Sequence, residues 1–229
     1  MSQPLSRIQI AWRIAQDIPE GSYVNLGAGM PILVADHVPG GRDVLFHSEN
    51  GILGMGPKPP PGEEDNELIN AGAAYTTLLP GGCFFHHADS FAMIRGGHID
   101  ICVLGAYEVS EQGDLANWIL PDSNTTPAIG GAMDLVAGSR QVFVIMEHCS
   151  RDGSPKILKE CRLPLTGIRC VTAIYTDLCV IDVTEHGLVV REMIEEMDLE
   201  TLQSRTGASI RLADDWQVLK VPAIETTAP

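Results

Sequence analysis

Short runs rich in valine and isoleucine, each bounded by turn residues, recur along this chain and leave few folds open to it. The clearest are IDICVLGAYEV, RQVFVIMEH and CVTAIYTDLCVIDVT. They are nearly continuous, and continuous apolar strands of this length belong in the middle of a sheet covered on both faces. Helical segments stand between them. Residues 5–18 carry Leu5, Ile8, Trp12, Ala15 and Ile18 at helical spacing. PILVADHV opens on Pro31, GAMDLVAGS follows a Gly pair, and DLETLQSRTG reads as a capped helix ending at Gly207. The order predicts an α/β fold with an open, mainly parallel sheet flanked by helices. The 229 residues suit a single domain over 1–229, with a loose tail from about 213.

The formal net charge of −15 argues against a nucleic acid or an anionic membrane as partner. No apolar run reaches the ~18 residues of a membrane span. The N-terminal stretch reads as an amphipathic helix and not as a secretory leader, so a cytoplasmic location is expected. Six cysteines form no C-x-x-C pair, and Cys102, Cys170 and Cys179 lie in apolar runs, which predicts reduced thiols.

Several motifs bear on chemistry. In Ser48-Glu49-Asn50-Gly51 an apolar strand ends and a carboxylate stands just before an Asn-Gly turn. Strand ends of parallel sheets face the ligand crevice. A carboxylate is ionised at neutral pH and attacks a thioester without a base. On these four residues alone, an ordinary turn with a solvated glutamate is the better account. Asn25-Leu26-Gly27-Ala28-Gly29-Met30-Pro31 offers close backbone approach and free N–H groups at a helix start, but lacks the third glycine of a dinucleotide fingerprint. Gly130 and Gly131 open a second helix, as oxyanion donors or as a tight turn. His86 and His87 read as neighbours on an extended strand, pointing to opposite faces. That weakens a shared metal site, and no metal is expected. The acidic loop GEEDNE reads as solvated.

Taken together, VNLGAGMP, SENGILGMGP, DNELINAG, DSFAMIRGGHIDICVLGAYEVSEQGDLANW, GGAMDLV, EHCSRDGSPKI, CRLPLTG and YTDLCVIDVTEHGLVVRE resemble the B subunits of the 3-oxoacid CoA-transferases, from about Ile8 to Leu212. The resemblance implies a transferase working by ping-pong through a glutamyl-CoA thioester. It makes Glu49 the nucleophile, Asn25 a polar residue at the reacting carbonyl, and Gly130 and Gly131 backbone donors. Gly27, Gly29, Asn50 and Gly51 complete the expected substrate and CoA surface. No permanently bound cofactor is implied; the CoA thioester is itself a substrate. A separate A (alpha) subunit is implied, in a heterotetramer with two copies of each chain.

Within the family, LLPGGCFFHHADSFAMIRGG and GMGPKPPPGEED look closest to subunits that use 3-oxoadipate with succinyl-CoA; acetoacetate is the alternative acceptor. Such anions need local cations or aimed N–H groups on a chain of net charge −15. Arg95, His86 and His87 are the candidates for a distal carboxylate, although a structural ion pair accounts for Arg95 at least as well. Ala73 stands where relatives commonly carry lysine. A non-catalytic effector-binding protein on the same fold is the reading from a different class, and a sugar-phosphate isomerase would want a cationic phosphate loop that is missing.

Overall fold

A computed structural model describes residues 3–120 and 128–224. Its helices are α1 (Arg7–Asp17), α2 (His87–Arg95), α3 (Ala132–Gly138) and α4 (Leu199–Ser204), with a 3-10 helix over Met30–His37. The strands are β1 (Tyr23–Leu26), β2 (Leu45–Ser48), β3 (Ile52–Met55), β4 (Leu78–Phe84), β5 (Ile101–Gly105), β6 (Glu108–Ser110), β7 (Leu115–Ala116), β8 (Gln141–Ile145), β9 (Ile157–Leu158), β10 (Ala173–Tyr175), β11 (Cys179–Thr184), β12 (Gly187–Met193) and β13 (Ile210–Val218).

One sheet carries ten strands in the order β13-β12-β11-β10-β8-β5-β1-β2-β3-β4. Its centre, β10-β8-β5-β1-β2, is parallel throughout. Those strands hold the fully buried residues Val24, Val103, Val144 and Ile174, as the apolar runs predict. Antiparallel pairs extend the sheet on both sides, β2-β3-β4 on one and β10-β11-β12 on the other. A small second sheet, β7-β6-β9, lies apart.

The strand order reverses at β1. The chain moves from β1 to β2 on one side and returns with β5 on the other. At such a switch point the connections leave in opposite directions and open a crevice beyond the strands' carboxyl ends.

Local chemistry explains the helices. Ser6 caps α1 by accepting from the Gln9 N–H, and the Gln9 side chain returns a bond to the Ser6 N–H. The buried face of α1 is Ile10, Ala11, Ile14 and Ala15. That is displaced from the expected stripe, since Ile8 and Trp12 are only partly covered. Asp17 accepts from Tyr175 Oη at 2.7 Å and pairs with Arg13 and Arg191, which ties α1 to β10 and β12. Among the described residues, no helix is long and apolar enough to cross a membrane.

Three expectations need correcting. PILVADHV forms a 3-10 helix and not an α-helix, entered through Gly29 at φ 83. The last helix stops at Ser204, capped by Asp198 at its start, and the Gly207 N–H bonds the Ile157 carbonyl instead of closing a helix. Of the tail expected from about 213, residues 213–218 are the second half of β13, an edge strand paired parallel to β12, and residues 225–229 lie outside the described residues. Edge strands carry exposed polar residues such as Asp214 and Asp215, which hides them from an apolar pattern.

Candidate active site

Glu49 lies one residue past β2, in the turn that leads into β3. The Gly51 N–H donates to the Ser48 carbonyl at 3.0 Å, closing the turn. Gly51 takes φ 120, and a Cβ there would run into the Phe85 carbonyl, so only glycine fits. The loop after the acidic segment is pinned onto this turn. Asn50 Nδ2 donates to the Ile69 carbonyl at 2.7 Å, and the Ala71 N–H donates to Ser48 Oγ at 2.9 Å.

Beneath the turn lies a buried polar chain. Asn25 Nδ2 donates to His47 Nδ1 at 3.0 Å and to the His47 carbonyl at 3.2 Å. The Nδ1 atom therefore accepts, and Nε2 carries the proton toward Ser90 Oγ at 2.9 Å. Burial pushes the His47 imidazole down to about 4, so it is neutral at physiological pH. The strand that leads to Glu49 is thus fastened to β1 on one side and to α2 on the other.

Glu49 opens into a cavity of about 470 Å³ at the carboxyl ends of β1, β5 and β8. Its walls include Gly27, Leu104, Gly130, Gly131, Ile145 and Met146. The close packing of α2 and α3 brings the Gly131 end of α3 to the carboxylate. Burial lifts the Glu49 carboxyl above its usual range, the Gly131 N–H opposes this by hydrogen bonding, His87 also lowers it, and Asp134 adds to the rise. The result is a half-buried carboxylate beside the Gly131 backbone, with no imidazole hydrogen-bonded to it among the described residues.

The other predicted residues are dispersed around this centre. Gly27 and Gly130 line the cavity. The backbone of Gly27 packs against Leu104 and bonds the Val103 carbonyl at 2.9 Å. Asn25 is 1% exposed and committed to His47, and the cavity wall does not include it. Gly29 and Asn50 shape the approaches to the cavity from outside its wall. The two histidines are not on a strand: His86 caps α2, its Nδ1 accepting from the Ala88 N–H at 3.1 Å, and His87 begins the helix and packs on Phe91. Arg95 donates to Asp134 at 2.7 Å and is exposed, so the structural pairing is the one observed. Ala73 sits at φ 59 in the pinned loop. Among the described residues, no group of three His, Cys, Asp or Glu side chains is placed to hold a metal. All six cysteines are free, with Cys102 and Cys179 buried.

Four polar wall residues, Tyr107, Asn117, Glu147 and Lys156, lie within the stretches GAYEVSEQGDLANW and EHCSRDGSPKI but are not among the expected site residues. Glu147 pairs with Arg7 at 2.7 Å; burial would lift its carboxyl, and the Arg7 guanidinium outweighs that and holds it low. Asn117 donates to the Gly105 carbonyl at 3.1 Å and accepts from Thr166 at 2.6 Å. The stretches that hold them carry the family resemblance, but no local pattern marks these four as lining a cavity.

Residues 7–204 match the family described as Coenzyme A transferase. The chain belongs to the coenzyme A transferase family. This CoA-transferase chain is 57% identical over 206 residues to the B subunit of the 3-oxoadipate CoA-transferase of Acinetobacter baylyi, covering 90% of this chain and 95% of that one. It is 48% identical to the B subunit of the succinyl-CoA:3-ketoacid coenzyme A transferase of Helicobacter pylori, over 90% and 99% of the two chains. The acyl-CoA transferase YdiF of Escherichia coli O157:H7 shares the fold, with a TM-score of 0.73 at 19% identity over 96% of this chain. This CoA-transferase chain spans 44% of the YdiF chain.

Proposed function

We propose that the chain is the nucleophile-bearing B subunit of a CoA-transferase that moves CoA from succinyl-CoA to 3-oxoadipate through a glutamyl thioester on Glu49. The observation that carries this reading is the Glu49 carboxylate in a cavity at the sheet's switch point, with the Gly131 backbone close against it. The 57% identity to a chain of a 3-oxoadipate CoA-transferase supports the substrate pair. A cytoplasmic location goes with this reading.

A Glu49 oxygen attacks the thioester carbonyl carbon, the C–S bond breaks, and CoA thiolate leaves behind a mixed anhydride. The thiolate then attacks the Glu49 carbonyl carbon, the anhydride C–O bond breaks, and succinate departs. The 3-oxo acid repeats both steps in reverse, taking CoA and restoring the carboxylate. Gly130 and Gly131 supply backbone N–H groups where the Glu49 carbonyl oxygen gathers negative charge. Anhydrides hydrolyse, so water has to be kept out. One open cavity on one chain meets that need poorly, which favours an A subunit closing the site in a heterotetramer with two copies of each chain.

The test is borohydride reduction and mass analysis of the complex co-expressed with its neighbouring reading frame. Inactivation and a CoA adduct on Glu49, both appearing only after acyl-CoA is added, are the expected results. Intersecting double-reciprocal plots without an adduct would replace this with direct transfer. The 48% identity to the Helicobacter pylori subunit, named for a 3-ketoacid, supports a second reading in which another 3-oxo acid, acetoacetate, is the acceptor. A specificity constant at least tenfold higher for 3-oxoadipate, a gap of about 1.4 kcal/mol, separates the two. Equal constants would favour acetoacetate and leave the Glu49 chemistry intact.

A further inference from the structure

Every acid in the proposed reaction that bears a second carboxylate carries a charge the site must receive. Burying a carboxylate without a partner costs several kcal/mol. The residues expected to receive it are elsewhere: Arg95 is taken by Asp134, and neither His86 nor His87 lines the cavity. Among the described residues of the cavity wall there is one cation, Lys156.

Lys156 reaches this position from the loop before β9. Its backbone is fixed there, the N–H bonding the His148 carbonyl at 3.3 Å and the carbonyl accepting from the Val109 N–H at 3.0 Å. The side chain also lines a second, larger cavity next to the first, so it stands at their junction. Burial lowers the affinity of its amine for a proton, an effect that nearby Glu147 and Asp177 oppose through space. No ion pair joins Lys156 to either carboxylate among the described residues: Glu147 is bonded to Arg7, and Asp177 accepts from the His148 N–H at 2.6 Å. A partly desolvated ammonium with no paired carboxylate gains most from an incoming anion. The surrounding wall, with Leu104, Ile145 and Met146, suits the methylene chain that separates the two ends of a dicarboxylic acid.

We infer that Lys156 is the residue that selects dicarboxylic over monocarboxylic acyl groups, by pairing its ammonium with the carboxylate distal to the one that reacts at Glu49. This rests on the CoA-transferase reading above and adds to it the determinant of substrate choice. The same ammonium would also suit a phosphate of CoA, and the experiment separates the two anions.

In a ping-pong cycle kcat/KM for each substrate reports only its own half-reaction. The Lys156→Gln and Lys156→Arg complexes are therefore compared with wild type on 3-oxoadipate against acetoacetate, and on succinyl-CoA against acetyl-CoA. Lys156→Gln is expected to cut the dicarboxylate-to-monocarboxylate ratio at least tenfold in both half-reactions, and Lys156→Arg to restore part of it. An equal fall for all four substrates would mean a phosphate contact or a structural role, and would overturn the assignment. A second measurement needs no variant: competitive inhibition of the wild-type complex by succinate and by butyrate, acids of the same chain length. Succinate should bind at least tenfold more tightly, and equal inhibition would overturn the assignment even if Lys156→Gln failed to fold. Absence of CoA transfer to any acid would instead sink the function proposed above, and this inference with it.

Discussion

The Gly131 backbone lies against the Glu49 carboxylate: a Cβ placed on residue 131 would stand 2.7 Å from Glu49 Oε2 and 2.9 Å from Phe91 Cζ. The backbone there has φ −84, which any residue adopts, so the need for glycine is one of space. Gly131→Ala should therefore fold normally and displace the carboxylate. The expected loss is about a hundredfold in kcat, since small misplacements at a reacting centre are that costly. Steady-state kinetics beside a melting curve would check this; near-wild-type kcat would remove Gly131 from the chemistry.

Glu49→Gln keeps the shape of the side chain and removes the charge. CoA transfer should vanish, provided mass analysis excludes deamidation. Stability should move the other way. Burial raises the Glu49 carboxyl pKa, so the folded state resists its ionisation and loses stability as pH rises through the titration. The variant should melt no lower than wild type at pH 8, with the difference narrowing on acidification. A clear drop in Tm would show the carboxylate to be a structural anchor.

Asp134 contributes to the raised pKa of Glu49, and it also holds Arg95. Asp134→Asn removes a negative charge and releases a positive one, and both changes favour ionised Glu49. If Glu49 attacks as proposed, only its ionised form reacts, and activity is expected to fall as pH drops through this pKa. The acid limb of kcat/KM should shift to lower pH in the variant, measured with an acyl-CoA that has no free carboxylate of its own. An unmoved limb would mean that another group controls it.

Two buried histidines predict the acid sensitivity of the fold. His47 and His148 are both pushed down to about 4 by burial, while an unfolded histidine titrates near 6.5. Each therefore stabilises the fold above that value and loses its contribution as pH falls from roughly 6.5 to 4. The slope is about 1.4 kcal/mol per pH unit for each proton taken up by the unfolded chain. His148 is held between Thr176 at 3.1 Å and Thr206 at 2.9 Å. Urea titrations from pH 7 to pH 4 should show a shallower decline for His148→Gln than for wild type, despite a lower starting stability.

The parallel centre of the sheet was legible because its strands are buried on both faces, and burial writes a continuous apolar run. Glu49 stood out only through the family resemblance, since a strand end meeting a turn reads by itself as an ordinary turn. What escaped depends on contacts between distant segments. Asn25 was expected at the reacting carbonyl, but the pairing of β1 with β2 sets it beside His47 and commits its amide there. Arg95 meets Asp134 only because α2 packs on α3. His86 and His87 follow two phenylalanines and so read as strand, although Ala-Asp-Ser after them marks a helix start. Lys156 lies in a loop, and nothing local ties it to a turn more than a hundred positions earlier; the parallel neighbours β5 and β8 bring the two to one cavity.

Strand β4 ends the ten-stranded sheet, with Leu79 and Phe84 40% and 62% exposed on it. Among the described residues no strand pairs with the outer side of its backbone, and such a border invites another chain to add itself by hydrogen bonding. Pro80 removes one donor from that border, and the bulge in its pairing with β3 bends it, both of which blunt the invitation without cancelling it. The same strand runs directly into Phe85 and the cap of α2, whose Ser90 bonds His47 beneath the Glu49 turn. A chain added along this border would sit on the strand that leads to the support of that turn, so self-association along β4 is expected to lower the activity of the molecules it captures.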